Sequence, residues 1–334
     1  PVKPDSLQPV FPATMRKVNF LLQRMIIKGS TIYGKRKFSR LFRKYLHRRI
    51  TLEQVYIIAQ QITNIYRNDG YILSKAVVPP QKIEDGAVQI NVIEGFVDRV
   101  VVQGQVRGPR RLLSEYRKGI LRSRPLKAKD LERYLLLVDD LPGVSVKSVL
   151  TPSKDKPGAT NMTLILSNKA YEGSLGLDNR GTKFNGPIQI NAGLSGNALF
   201  KNYERIGLQG VVTSDTDELQ FFSGFYEQPI SSEGTKLFFS ASFSDSKPGS
   251  ALKDFEVAGE SKTFALKITH PFIRSRAENL TGSLSYTHRN SSTDILGTLD
   301  SEDRLRIVNL GLSYDFVDQY RGVNLVSFNL SKGF

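Results

Sequence analysis

The chain has no cysteine and no tryptophan among its 334 residues, and only 3 histidines. Without cysteine there can be no disulfide framework, thiolate metal site or cysteine nucleophile. The absence suits an oxidising compartment without establishing one. His47, His270 and His288 stand far apart and outside any ligand spacing, so no metal site is expected. No run of about 18 consecutive apolar residues occurs, which excludes a membrane-spanning helix and leaves a closed β-barrel as the only spanning option. The opening PVKPDSLQPVFP lacks the basic start and apolar stretch of a signal peptide, so the sequence reads as a mature or trimmed chain. Serine, histidine and aspartate are scattered without a nucleophile elbow. The glycines at Gly173 and Gly176 follow no phosphate-cradling pattern. Nothing in the sequence argues for catalysis or for a cofactor.

What the chain has in excess is positive charge, and it is unevenly placed. The formal net charge is +15. Residues 1–168 hold 30 Lys/Arg against 13 Asp/Glu, an excess of +17, whereas residues 169–334 hold 17 against 19, a balance of −2. Such asymmetry says that the two halves face different surroundings. At this length two or three domains are expected.

Residues 17–95 read as strand, helix, helix, strand, strand. Thr51 and Gln54 stand at capping-box spacing, and Gly70 lies just beyond the end of a helix from Thr51 to Asn68. Its apolar positions Leu52, Val55, Ile58, Ala59, Ile62 and Ile65 recur at three and four, giving one face that needs a sheet to cover. Strands are expected over Val18 to Ile27, Ile72 to Val78 and Ala87 to Ile93, with Pro79, Pro80, Asp85 and Gly86 as turn chemistry. The order repeats from Phe96: a strand Val97 to Val102, a helix after Pro109, a second from about Ala128 to Val138, then strands Val144 to Leu150 and Asn161 to Leu166.

From Tyr171 onward the helical period disappears and strand-length segments alternate with period two. Leu237, Phe239, Ala241 and Phe243 share one face and Lys236, Ser240, Ser242 and Ser244 the other; Val326, Phe328 and Leu330 alternate likewise with Ser327, Asn329 and Ser331. Nine strands are expected, near 171–178, 187–195, 204–213, 217–226, 235–245, 261–270, 279–290, 304–315 and 323–332. An oily face against a small, hydroxylic one suits a transmembrane barrel with a watered interior. A soluble sandwich or lipocalin-like barrel also alternates, though it buries its oily face.

The run from Ile62 to Gly95 resembles the first POTRA domain of two-partner secretion transporters, the haemolysin-activator branch of the Omp85 superfamily. The resemblance lies in Tyr66, Gly70 and Tyr71, the Pro80-Gln81 pair, Gly86 and Glu94-Gly95. Taken alone, Gly70 and Gly86 are turn glycines and Tyr66 and Tyr71 are core packing. In the second copy Asp140-Leu141-Pro142-Gly143-Val144 resembles that family's helix-to-strand junction. The stretch opening the second half, with Asp178, Asn179 and Gly181 at the first hairpin turn and Gly186 before the next strand, is similar to the start of the family's barrel. The family often places an aspartate after the next turn, where this sequence has Asn202, Tyr203 and Glu204. Val106-Arg107-Gly108 resembles the family's VRGY lid motif, but Pro109 follows it and its setting is that of a turn.

The resemblance implies an α+β pair of periplasmic POTRA repeats (β-α-α-β-β) followed by an antiparallel transmembrane β-barrel, incomplete in this chain because the family's barrel has about sixteen strands. The implied divisions are an N-terminal linker 1–16, POTRA domains 17–95 and 96–168, and a barrel portion 169–334. The implied location is the bacterial outer membrane. The implied partner is a secreted polypeptide client, a haemolysin, an adhesin or another exoprotein, which would pair its main chain with an exposed sheet edge. By resemblance the edge is the second strand of each copy: Ile72, Leu73, Ser74, Lys75, Ala76, Val77 and Val78, and Val144, Ser145, Val146, Lys147, Ser148, Val149 and Leu150.

The basic run from Lys35 to Arg49 reads first as an amphipathic helix, with Leu41, Phe42, Tyr45 and Leu46 on its apolar face. Its cations Lys35, Arg36, Lys37, Arg40, Arg43, Lys44, Arg48 and Arg49 are candidates for contact with outer-membrane lipid or an acidic client. No recognised nucleic-acid motif interleaves these charges, and no nucleic acid is expected. Two other readings stay open: an Omp85-type factor that assembles other barrels, and a soluble basic protein that binds nucleic acid or polyanions.

Overall fold

The computed structural model describes residues 18–334; the linker expected over 1–16 lies outside them. Contacts divide the chain into two compact units. The first runs up to Val101 and adds Gly119–Leu131 and Val149–Thr163; the second takes Val102–Lys118, Glu132–Ser148 and Leu164–Phe334.

The first repeat contains β1 (Asn19–Leu22), β2 (Arg24–Lys28), α1 (Lys35–Phe42), a 3₁₀ turn at Arg43–Tyr45, β3 (Arg48–Thr51), α2 (Leu52–Asn68), β4 (Lys75–Val77) and β5 (Ala87–Ile93). Helix α2 starts where its capping box does: the Thr51 hydroxyl accepts from the Gln54 N–H at 3.2 Å and the Gln54 side chain accepts from the Thr51 N–H at 2.9 Å. Its face of Val55, Ile58, Ala59, Ile62 and Tyr66 is buried against Val88, Ile90 and Val92, the alternate residues of β5. Each such aliphatic side chain contributes about 1.5–3 kcal/mol by leaving water.

Three expectations for this repeat need correction. The single strand Val18 to Ile27 is two, interrupted at Gln23: β1 pairs antiparallel with β3, a strand the sequence reading did not contain, while β2 pairs parallel with β5. The Gln23 and Arg24 N–H groups both donate to the Gly86 carbonyl, at 2.9 and 3.2 Å. Gly86 has φ +65°, and a Cβ there would strike the Leu21 carbonyl, so glycine is required on both counts. The basic helix stops at Phe42, because Arg48 and Arg49 are drawn into β3 opposite Leu22 and Leu21 and the chain turns at His47 with φ +61°. The strand Ile72 to Val78 contracts to Lys75–Val77, since Ile72, Leu73 and Ser74 form the turn that closes α2, with the Tyr71 N–H on the Tyr66 carbonyl at 2.8 Å.

The second repeat runs β6 (Phe96–Gln103), α3 (Arg110–Arg122), α4 (Ala128–Asp139), β7 (Val144–Pro152) and β8 (Ala159–Asn168), with strand order β6-β8-β7. Val106, Arg107 and Gly108 lie in the irregular connection between β6 and α3, as their setting implied.

The remaining strands are β9 (Tyr171–Asp178), β10 (Gln189–Asn197), β11 (Arg205–Thr213), β12 (Gln220–Pro229), β13 (Lys236–Ser246), β14 (Ala258–Arg274), β15 (Glu278–Ile295), β16 (Thr298–Val317) and β17 (Val323–Gly333). Each pairs antiparallel with the next in one 9-stranded sheet, open at β9 and β17. The register sorts the side chains by face. Phe239, Leu266, Tyr286 and Val308 stand opposite one another in one row, and Ile268, Leu284, Leu310 and Leu330 in another. On the reverse face Gln209, Ser223, Ser242 and Thr263 align, as do Lys267, Ser285, Asn309 and Ser331.

The oily stretch does not follow the hydrogen-bonded rows straight across the sheet. The row through Phe239 and Tyr286 meets β10 at Gly196, nearer the turn after β10 than that strand's Ile190 and Leu194. It meets β17 at Lys332, on the opposite side of that strand's Phe328 and Leu330. A band level with a membrane cuts the rows diagonally only when the strands tilt, as closed barrels require, typically by 35–45°. The ladder shifts register at Pro271, which has no N–H to give it.

Placing arginine at Leu284, in the middle of the band, should cost about 2–4 kcal/mol of stability in lipid vesicles, whereas Ser285→Arg on the reverse face should cost less than about 1 kcal/mol. Denaturant unfolding of both variants checks the assignment of faces.

Candidate functional site

The two expected client-binding strands end their sheets: β4 closes the order β2-β5-β4 and β7 the order β6-β8-β7, with β2 and β6 at the opposite edges. Neither outer side is bare. The buried Thr63 of α2 donates to the Ala59 carbonyl at 3.1 Å and accepts the Ala76 N–H of β4 at 2.9 Å. In the second repeat Asp139, the last residue of α4, accepts the Val146 N–H of β7 at 3.1 Å. In both copies a side chain from the second helix occupies an N–H that an incoming strand would use. The two edges differ in length, since β4 has 3 residues and β7 has 9. Beyond Val146, the residues Lys147, Ser148, Val149 and Leu150 are exposed.

The basic candidates Lys35, Arg36, Lys37, Arg40, Arg43, Lys44, Arg48 and Arg49 all reach solvent, while Phe38 between them is buried. Lys37 lies 5.3 Å from the Tyr33 ring centre and 4.0 Å from the Asp69 carboxylate, and Lys44 covers Tyr45 at 4.9 Å.

Tyr66 and Tyr71 are core residues, with ring centres 5.8 Å apart. Tyr66 also reaches the Glu94 carboxylate at 2.6 Å. Glu94 further accepts the N–H groups of Thr31 and Ile32 at 2.8 and 3.1 Å, and the Thr31 hydroxyl, so it ties the loop before α1 to the end of β5. Burial pushes its carboxyl upward, but the bonds from Thr31, Tyr66 and Ile32 outweigh burial and hold it below the ordinary carboxylate value. Burial, then the bond to Glu94, raise the Tyr66 phenol.

The end of the sheet that carries the turns after β10, β12 and β14 holds a group of contacts that sequence reasoning did not find. The turn from Ala198 to Glu204 holds Ala198, Lys201 and Tyr203 at positive φ. Glu204, fully buried, pins it: its carboxylate accepts the Asn202 N–H at 2.8 Å and also the Phe200 N–H. Glu204 is one of the three residues, with Asn202 and Tyr203, that stand where the resemblance led one to expect an aspartate. Tyr203 is buried, with its phenol pushed up to about 12 by burial, and its ring lies where a Cβ on Gly108 would be. The glycine of the VRG sequence therefore makes room for a tyrosine in the turn between β10 and β11.

Helix α4 and the residue after it meet the turns between β12 and β13 and between β14 and β15 through charge. Arg274, at the end of β14, grips Asp140 with two bonds of 2.7 Å across 134 residues and also donates to Asn279 at 3.1 Å. Both side chains are about three-quarters buried. Arg133 pairs with Glu233 at 3.2 Å, and the Arg276 N–H reaches Glu132 at 3.1 Å. Asp140 drew attention as part of the helix-to-strand junction, but nothing in the sequence linked it to Arg274. Among the described residues no cluster of three or more His, Cys, Asp or Glu could hold a metal ion.

An open, tilted antiparallel sheet, oily on one face and hydroxylic on the other, following a POTRA-like α/β region, defines an Omp85-type outer-membrane barrel protein. Residues 20–95 match the ShlB-type POTRA domain, and residues 165–334, half of the chain, match the haemolysin secretion/activation proteins ShlB/FhaC/HecB. The chain belongs to this ShlB/FhaC/HecB family. It is an outer-membrane protein with its POTRA repeats in the periplasm.

The heme/hemopexin transporter protein HuxB of Haemophilus influenzae is 26% identical over 256 residues, 76% of this chain and 45% of HuxB. The outer membrane transporter CdiB of Dickeya dadantii is 27% identical over 182 residues, 54% of this chain and 32% of CdiB. The chain therefore spans less than half the length of these relatives. Among solved structures, CdiB from Escherichia coli superposes with a TM-score of 0.74 at 22% identity, covering 98% of this chain and 62% of that one. CdiB from Acinetobacter baumannii gives 0.59 at 16% identity, covering 94% and 62%. These likenesses establish the fold.

Glu94, held below its ordinary value, contributes stability that is present above that value and is lost as pH falls through its folded-state value. Amide protection at Thr31 and Ile32 should fall in that acid window in the wild type and be low at all pH in Glu94→Gln. Removing Asp140 and Arg274 singly and together should give a coupling of about 1.5–3 kcal/mol in unfolding experiments.

Proposed function

We propose that the protein of which this chain is part is a two-partner secretion transporter: its POTRA domains capture an unfolded secretory polypeptide in the periplasm, and its barrel passes that client outward. Residues 17–95 and 96–168 are the two POTRA domains in this reading, and 169–334 belong to the barrel. Transport needs no enzymatic step, cofactor or nucleotide; folding of the client outside biases its movement. Both relatives named above are transporters, which supports this reading.

The observation that carries the capture step is the form of the two sheet edges. Each ends in a strand whose outer N–H is held by one side-chain acceptor, Thr63 or Asp139, and not by another strand. A client strand can take the place of a single hydrogen bond at little net cost, since such a bond is worth about 0.5–1.5 kcal/mol, and it then extends the ladder along the edge. The longer β7 offers the main surface: Val144, Ser145, Val146, Lys147, Ser148, Val149 and Leu150. Strand β4, with Lys75, Ala76 and Val77, offers a short one, and Ile72, Leu73, Ser74 and Val78 flank it. The exposed cations from Lys35 to Arg49 contact membrane phosphates or acidic stretches of the client.

Outward N–H groups alternate along an edge, so those following Val146 belong to Ser148 and Leu150. Ser148→Pro should remove one of them without touching the ladder to β8, and client crosslinking and secretion should fall about tenfold. Lys147→Pro, which breaks the ladder itself, serves as the folding control. Undiminished crosslinking in a folded Ser148→Pro protein would sink the edge-pairing mechanism.

A further inference from the structure

The outward face of β14, β15, β16 and β17 changes character at one step. On β14 the last oily outward residue away from the periplasmic end is Phe264, and the next outward residue is Lys262. On β15 Tyr286 is followed by His288, on β16 Val308 by Arg306, and on β17 Leu330 by Lys332. The register keeps these positions together: Phe264 stands opposite His288, His288 opposite Arg306, and Val308 opposite Lys332. On β12 and β13 the same step leads from Phe222 to Gln220 and from Phe243 to Asp245. The basic residues therefore follow the sloping upper margin of the oily band on these strands alone.

We propose that Lys262, His288, Arg306 and Lys332 form a girdle that binds the phosphate groups of anionic lipid in the outer leaflet. The proposal rests on reading the sheet as a membrane wall and goes beyond the transport function. A residue just above the oily margin sits at headgroup depth, where a cation meets lipid phosphate directly. Arg306 is prepared for this. One of its guanidinium nitrogens donates to the carbonyls of Arg289 at 3.2 Å and Leu305 at 2.8 Å and to the Asn290 side chain at 2.9 Å, which fixes the plane of the fork. Among the described residues no carboxylate pairs with Arg306 or Lys332. A planar guanidinium with free N–H groups matches phosphate geometry. His288 meets the Phe264 ring edge-on at 6.1 Å and offers a ring N–H at the same level. Lys262 is shared with Glu260, and Arg304 one step higher pairs with Glu302 at 2.7 Å. Exposed pairs of this kind are weak, so phosphate competes for Lys262 successfully.

The test uses the intact transporter in neutral detergent micelles doped with bis-phosphorylated lipid A or with the same lipid stripped of phosphate, and reads the shift in thermal unfolding against lipid concentration. The wild type should be stabilised by the phosphorylated lipid alone. The double variant Arg306→Gln/Lys332→Gln should lose about 25-fold in apparent affinity, at roughly fivefold per cation near an anionic surface. Lys247→Gln/Lys253→Gln, which removes equal charge from the connection between β13 and β14, should bind as the wild type does. If the double variant does not fold, Lys332→Gln alone should lose about fivefold. Equal stabilisation by both lipids, full affinity in the girdle variants, an equal loss in the loop control, or the same stabilisation by inorganic phosphate alone would each overturn the proposal. A failure of the membrane-wall reading would show separately, as a protein that stays soluble once detergent is removed.

Discussion

In hydrocarbon a backbone N–H or C=O has no water to fall back on, and the ladder from β9 to β17 is the constraint on which the rest of this structure depends. Once every strand must pair with both neighbours, register follows from which face is oily, and a slip of one residue would turn every Leu and Phe inward. The tilt of the strands is then recorded in the sequence itself, as an oily band that lies on one side of a given row at β10, ending at Leu194 before Gly196, and on the other side of it at β17, ending at Leu330 before Lys332. The same constraint makes the edges of β9 and β17 untenable in lipid unless other strands cover them.

The periplasmic ends of the strands face a different solvent and are built differently. Water is available there, so irregular backbone is tolerated, and the turns use it: Glu204 caps amide groups, Tyr203 fills the space left by Gly108, and Arg274 and Arg133 reach the end of α4. The barrel base is thus bonded to the helix whose last residue, Asp139, holds the edge of β7. Whatever moves α4 moves both the Arg274 contact and the hydrogen bond on the edge of β7, which links that edge mechanically to the barrel wall.

Much of this was legible in the sequence because it is local. The Thr51 and Gln54 spacing marked the start of α2, and the alternation of single strands gave all nine barrel strands to within a few residues of their ends except on the longer β14, β15 and β16. What could not be read was partner choice. Period two says that Val18 to Ile27 is extended but not that β1 goes to β3 and β2 to β5, so the break at Gln23 and the strand at Arg48–Thr51 were invisible. The basic segment looked helical to its end because its apolar spacing continues past Phe42, while a strand pairing decides its last residues. The candidate edges were placed by resemblance, but their occupied N–H groups depend on Thr63 and Asp139 lying beside β4 and β7, which no spacing rule encodes. Nor does any local pattern join Asp140 to Arg274 across 134 residues.

The side chains that hold Ala76 and Val146 have a consequence for the life of the protein before it reaches its membrane. A newly exported chain waits in a crowded aqueous compartment among copies of itself, each carrying the same repeats. Strands with bare amide rows would zip one copy to another and seed insoluble assemblies. A hydroxyl from Thr63 and a carboxylate from Asp139 each stop one N–H on these rows against such pairing.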